Sequence, residues 1–222
     1  MKGRNLQLFP YWEAKDLGQP IPDSPHAVSV TLPRWSDVIA YEEKEPQCIN
    51  SLKSVYPRFG FNPLIAEIAE KAIQAFADSE RSAWPYPNIE TALKAKEYCK
   101  KSNADSIIEI HEFLGLQCLI VNAKANSAAK AFWQHTGLGA SSRDAAIALK
   151  KEKKPLESEG RKGKENVLNR LSKIYGCEAN LIHLHPSGMA ALETALEALK
   201  KLHYKNPVFQ LGFPYVDVLK LP

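Results

Sequence analysis

Nowhere in the 222 residues is there an uncharged apolar run long enough to cross a bilayer, and residues 1–10 carry basic side chains beside only a broken apolar stretch. Neither a spanning helix nor a secretory leader is read from this, and the expectation is a soluble, cytoplasmic protein without a membrane partner. Cysteine is sparse. Cys48, Cys99, Cys118 and Cys177 are far apart and lack a C-x-x-C spacing, which suggests neither a zinc site nor a disulfide framework and leaves reduced thiols as the expectation. Charge of one sign is lacking too. With 29 basic against 25 acidic residues the formal net charge is +4, and no face-long basic stripe with interleaved aromatics announces a nucleic-acid partner. The densest basic run, Lys150 to Lys154 continued by Arg161 to Lys164, reads as a solvated linker.

What is present is ordinary globular material: 45% hydrophobic and 24% charged residues, enough for one full domain or two small ones. Pro10, Gly18, Pro20 and Pro22 keep residues 6–23 extended as an arm, because proline removes a donor and restricts its predecessor. A strand-like stretch from Ala27 to Leu32 and a capped helical turn at Ser36 follow. From Leu64 to about Ala77, Ile65, Ile68, Ala69, Ala72, Ile73 and Phe76 recur on one helical face and form a core stripe. Pro85 and Pro87 break the pattern, and a second helix runs from Ile89 to Lys101. Ser106–His111 and Leu116–Val121 read as two strands around a turn at Gly115, and Ser127–His135 as a short helix. Residues 62–142 thus form a small α/β block after an extension over 1–61.

Past the charged linker, set at 143–164, a helix from Lys164 to Gly176 leads into a stretch that reads strand, tight turn, helix. Leu181, Ile182 and Leu184 have strand length, Pro186-Ser187-Gly188 punctuates them, and Met189, Leu192, Leu196 and Leu199 recur at helical spacing. A serine and a glycine at a helix start leave free N–H groups at the positive end of the helix dipole, and the missing Cβ lets an anion approach. The local pattern fits a phosphate cradle, and equally a plain Ser187 N-cap with no ligand. His183 and His185 would share a strand face, but no acidic or cysteine neighbour completes a metal site, and a packed or cofactor-side role is the reading. No metal is expected. Val208–Leu211 reads as a further strand. Asp23, Asp37, Glu42 and Glu43 are assigned no catalysis.

Pro186-Ser-Gly-Met-Ala-Ala-Leu192 resembles the Ser-Gly-Met-Ala-Ala-Ile signature of the cysteine and methionine metabolism family of pyridoxal-phosphate enzymes, and the preceding helix with Arg170 occupies the matching place. The extension, with Pro25-His-Ala-Val-Ser-Val30, Trp35, Asp37-Val38 and Tyr41-Glu-Glu43, resembles that of the fungal-type cystathionine gamma-synthase branch, as do the aromatic loop Tyr56–Pro63, Trp133-Gln-His-Thr-Gly137 and Phe213-Pro-Tyr-Val-Asp217. The resemblance implies an α/β chain in which residues 165–222 begin a fold-type I pyridoxal-phosphate-dependent transferase large domain, left incomplete. It implies pyridoxal 5'-phosphate as cofactor of the complete enzyme, a small amino-acid substrate, and a homo-oligomer. By the same resemblance Ser187, Gly188 and Met189 would bind the cofactor, Tyr215 would stack on its ring, and Arg143 would hold the phosphate of a neighbouring subunit. Where typical members have a tyrosine two residues before that arginine, this chain has Ser141.

The family's imine-forming lysine and the acid on the pyridine nitrogen fall later than this chain reaches, and Lys220 is not in the matching context. No catalytic residue is therefore assigned. The reading is the amino-terminal portion of a transsulfuration enzyme that joins activated homoserine and cysteine, truncated or split, and inactive by itself. Synthase, sulfhydrylase and lyase are not separated. The alternatives are a non-catalytic binding or scaffold protein of that origin, or an acyltransferase of the GNAT type, to whose closing helix Ala128–Gly137 is faintly similar. The Arg/Gln-x-x-Gly-x-Gly loop that the latter needs does not precede that helix.

Overall fold

The computed structural model describes residues 5–56, 59–103, 105–202 and 207–221. The arm, with one 3-10 turn at Ala14–Asp16, leads into a two-residue ribbon of β1 (Pro20–Ile21) against β2 (Ser29–Val30). Two short helices follow, α1 (Trp35–Glu42) and α2 (Pro46–Ser51). The helical turn placed at Ser36 is α1, and its cap is built at Arg34, two residues earlier than serine would suggest. Asp37, buried, accepts from the Arg34 backbone N–H at 3.0 Å and from its guanidinium at 2.6 Å.

The small block is three layers. A three-stranded antiparallel sheet in the order β3-β5-β4 (Ser82–Tyr86, Leu116–Val121, Ile108–Phe113) is sandwiched between helices. The first face packs on α3 (Pro63–Phe76) and α6 (Ser142–Ala148), and the other on α4 (Ile89–Ser102) and α5 (Ala123–Thr136). The pattern of β5 explains this. Its even positions Leu116, Cys118 and Ile120 join Ile65, Ile68 and Ala72 of α3, while Leu119 and Val121 face Ala92, Ala95 and Phe132 of α4 and α5. A central strand covered on both sides must be apolar throughout.

Local chemistry sets the ends of these elements. Asn62 caps α3 by accepting from Leu64 N–H at 2.9 Å, with Pro63 at the first helical position, where its missing N–H costs nothing. Leu114 and Gly115, both at positive φ, make the two-residue turn of the β4–β5 hairpin, whose twist matches the strands.

Several elements differ from the sequence reading. Pro85 and Pro87 were read as breaks, yet β3 runs through Pro85; it is an edge strand, where the missing donor faces away from β5. The block also outruns residue 142, because Ala145 and Ala146 of α6 enter the core formed by α3. The polar stretch that follows becomes helix α7 (Glu157–Tyr175), which buries none of its residues.

The strand expected at Leu181–Leu184 is not formed. A 3-10 turn occupies Ala179–Leu181, and 182–187 connect directly to α8 (Gly188–Leu202). Val208–Leu211 likewise forms no strand; Phe209 is 82% and Leu211 92% exposed. Strand structure requires a hydrogen-bonded neighbour, and among the described residues no strand lies beside either stretch. His183 and His185 therefore share no strand face. The mixed α/β class holds, its sheets lying entirely ahead of α6.

Candidate functional site

Gly137, in the left-handed conformation at φ 64°, ends α5 and begins the construction of the site. A Cβ here would lie 2.6 Å from Ser187 Oγ and 3.1 Å from Met189 Cβ, so the start of α8 docks directly on this glycine. Ser187 completes the junction. Its Oγ accepts from Ala190 N–H at 3.1 Å and donates to the Gly137 carbonyl at 3.4 Å. The helix-cap role open in the sequence is therefore real, and the first N–H groups of α8 have no intrahelical acceptor.

Beside this junction lies a cavity of about 570 Å³. Ser187, Gly188 and Met189 line it from the start of α8 and Tyr215 from the carboxy-terminal loop; Arg143 of α6, which the resemblance gave to a neighbouring subunit's phosphate, lines this same cavity beside the chain's own α8. Gly188 needs no special backbone, since its φ is not in the left-handed region and an added Cβ would meet no protein atom within 4 Å. What glycine leaves is open space on the cavity side. Ser141, in the place of the family's tyrosine, is the N-cap of α6, its Oγ accepting from Asp144 N–H at 3.1 Å while Asp144 accepts from Ser141 N–H at 2.9 Å.

Three further lining residues fall within stretches that carry the resemblance, although the sequence assigns none of them a site role. Asp217 is 1% exposed, and its Oδ1 lies 3.1 Å from His135 Nδ1 at the end of α5, which fastens the Tyr215 loop to the block. His26, from the extension, meets Ser142 Oγ at 3.0 Å. Gly137 shows itself only through its contact with α8. Among the described residues no group of three His, Cys, Asp or Glu is placed to hold a metal ion.

The donors suit the phosphate end of pyridoxal phosphate. Helix N–H groups, a hydroxyl and an arginine converge on space that Gly188 keeps open, and a guanidinium can give an anion two parallel charge-assisted bonds. Tyr215 supplies a ring face. Among the described residues no lysine lines the cavity, so these lining residues give the cofactor's aldehyde no amine.

Comparison with known proteins agrees with the layout. The family model of the fungal trans-sulfuration enzyme N-terminal domain matches residues 64–141, from the first turn of α3 to the cap of α6. A Saccharomyces cerevisiae protein provisionally named a cystathionine gamma-synthase is 34% identical over 155 residues, covering 61% of this chain and 24% of its own length. The cystathionine gamma-synthase of the same yeast is 29% identical over 154 residues, again 61% and 24%. An L-2-amino-4-chloropent-4-enoate dechlorinase/desaturase of Streptantibioticus cattleyicolor is 26% identical over 212 residues, covering 91% of this chain and 42% of that protein. No solved structure matches. The chain thus resembles the amino-terminal part of the cysteine and methionine metabolism family of pyridoxal-phosphate enzymes. Residues 64–141 match the amino-terminal domain model of its fungal trans-sulfuration branch, and the matched segment spans 24% of the length of each yeast relative.

Proposed function

We propose that this chain is the amino-terminal part of a pyridoxal-phosphate-dependent transsulfuration enzyme and supplies the subsite for the cofactor's phosphate. The carrying observation is the meeting of Arg143, Ser187, Gly188, Met189 and Tyr215 around one cavity, although up to 72 positions separate them. When bound, the cofactor would act as the electron sink for loss of the substrate's α-proton. The chain's own groups do the holding. The N–H groups of Gly188 and Met189 and the Arg143 guanidinium bind the phosphate, and Tyr215 covers the ring.

The names of the relatives support a substrate class. The yeast proteins are named for cystathionine synthesis, and the bacterial name puts chlorine on C4 of a 2-amino acid, the γ-carbon. An α-amino acid with a leaving group on its γ-carbon serves both, and activated homoserine with cysteine as acceptor is the specific pair proposed here. Cytoplasmic location and a homo-oligomer belong to the same reading.

Equilibrium dialysis of pyridoxal phosphate against the purified chain tests the subsite. Gly188→Val, which fills the open space, and Arg143→Gln should each weaken binding, while Met189→Leu, which keeps the backbone and nearly the volume, should not. Unchanged affinity in a folded Gly188→Val chain would overturn the assignment. Incubated with cofactor, activated homoserine and cysteine, the chain alone should give no cystathionine above a no-protein control, since its cavity offers no lysine.

A further inference from the structure

The same cavity holds an arrangement that phosphate binding does not use. Ser142 Oγ lies 3.0 Å from His26 Nδ1, and His26 Nε2 lies 2.7 Å from Glu152 Oε1, joining residues 116 and 126 positions apart. The imidazole is 9% exposed, and both His26 and Ser142 line the cavity. We propose that Ser142, His26 and Glu152 form a nucleophile, base and carboxylate set that cleaves small carboxylic esters, an activity separate from the pyridoxal reading.

The chemistry is consistent at each atom. A carboxylate accepts only, so Glu152 fixes the imidazole proton on Nε2 and leaves the Nδ1 lone pair toward Ser142. Ser142 is not consumed as a helix cap, because Ser141 performs that task for α6. Attack of Ser142 Oγ on an ester carbonyl passes its proton to Nδ1. The ester C–O bond then breaks, and the alcohol leaves with that proton. Water, deprotonated by the same nitrogen, hydrolyses the acyl-serine and releases the acid. Arg143, in the same wall, favours an ester that carries a negative charge.

The backbone holds this set in place. Asn62 Nδ2 donates to the Pro25 carbonyl at 2.9 Å, and Ser54 Oγ to the Ala27 carbonyl, gripping the chain on either side of His26. On the carboxylate side Lys150 takes φ 57°, a left-handed conformation unfavourable for lysine, and the turn it makes sends Lys151 and Glu152 back so that both N–H groups bond the Ala146 carbonyl. Glu152 reaches His26 only because of that turn.

A fluorophosphonate probe with intact-mass detection, and release of nitrophenol from the monoanion mono(4-nitrophenyl) succinate, test the proposal. The wild-type chain should take up one probe per molecule at Ser142 and hydrolyse the ester. Ser142→Ala should abolish labelling, and His26→Gln and Glu152→Gln should each slow hydrolysis about a hundredfold. Absence of labelling and hydrolysis in the folded wild type, or hydrolysis unchanged in Ser142→Ala, would overturn it. Glu152 is partly exposed, so its variant keeps the test clear of folding. Pyridoxal phosphate binding, measured separately, reports on the cradle alone.

Discussion

His135 Nδ1 and Asp217 Oδ1 stand 3.1 Å apart across 82 positions of chain, and the carboxylate is almost wholly buried. On either side of Asp217 the segment is exposed at Tyr215, Val216 and Leu219, so this pair is a principal attachment of the loop that carries Tyr215.

Asp217→Ala should therefore loosen residues 207–221 while leaving the block folded. Losing a hydrogen bond to a charged group costs about 1.5–3 kcal/mol, and hydrogen exchange should show a matching loss of protection confined to that segment. Equal protection in wild type and variant would show that the loop is held by other means. Pyridoxal phosphate affinity should fall with it, and affinity for inorganic phosphate should not, because the proposed subsite gives Tyr215 to the ring and not to the phosphate.

The α5 to α8 junction predicts an order of sensitivity. Ser187→Ala removes the cap bond to Ala190 and should cost about 1 kcal/mol. Gly137→Ala should cost more, since it combines a left-handed residue with a Cβ 2.6 Å from Ser187 Oγ. Urea denaturation of the two variants checks the order, and a Gly137→Ala chain as stable as wild type would refute the docking of α8 on this glycine.

The thiols should divide by burial. Burial pushes Cys99 up to about 11 and Cys118 up to about 12, and raises Cys48 as well. Cys177 is only half-buried. At pH 8 the folded chain should release one equivalent of colour rapidly from a thiol-disulfide reagent, and four after denaturation. Rapid release of more than one from the folded chain would contradict the core packing.

Glu193 on α8 is buried, and desolvation raises its carboxyl above the ordinary value, opposed by Lys200 and Lys94 and reinforced by Glu197. A raised carboxyl binds its proton more tightly in the folded state than in the unfolded one. Stability should accordingly fall as pH rises from 4.5 through the raised value. Glu193→Gln should melt higher than wild type at pH 7.5, with the difference closing at pH 4. A wild-type advantage at pH 7.5 would show that the charged form is well accommodated.

Periodicity made α3, α4, β4 and β5 legible, because an amphipathic helix and an apolar strand imprint their own spacing. β3 escaped for the opposite reason: Pro85 obeys a rule about sheet edges, which depends on strand order and is invisible along the chain. Leu181–Leu184 had the composition of a strand without the neighbour that makes one. At the site, Ser187 was readable as a cap from its position ahead of an apolar helix, whereas Arg143 and Tyr215 were reached through resemblance. The His135 to Asp217 and His26 to Ser142 to Glu152 contacts join residues with no periodic relation, so only folding reveals them.

The proline within β3 also bears on how copies of the chain can meet. Its nitrogen has no hydrogen to offer, and its outward carbonyl already accepts from Ala140 N–H at 3.0 Å. A foreign strand laid along this margin would find its ladder interrupted at the midpoint. Templated strand addition, the common route from an open sheet to fibrous aggregates, is thereby discouraged on this side.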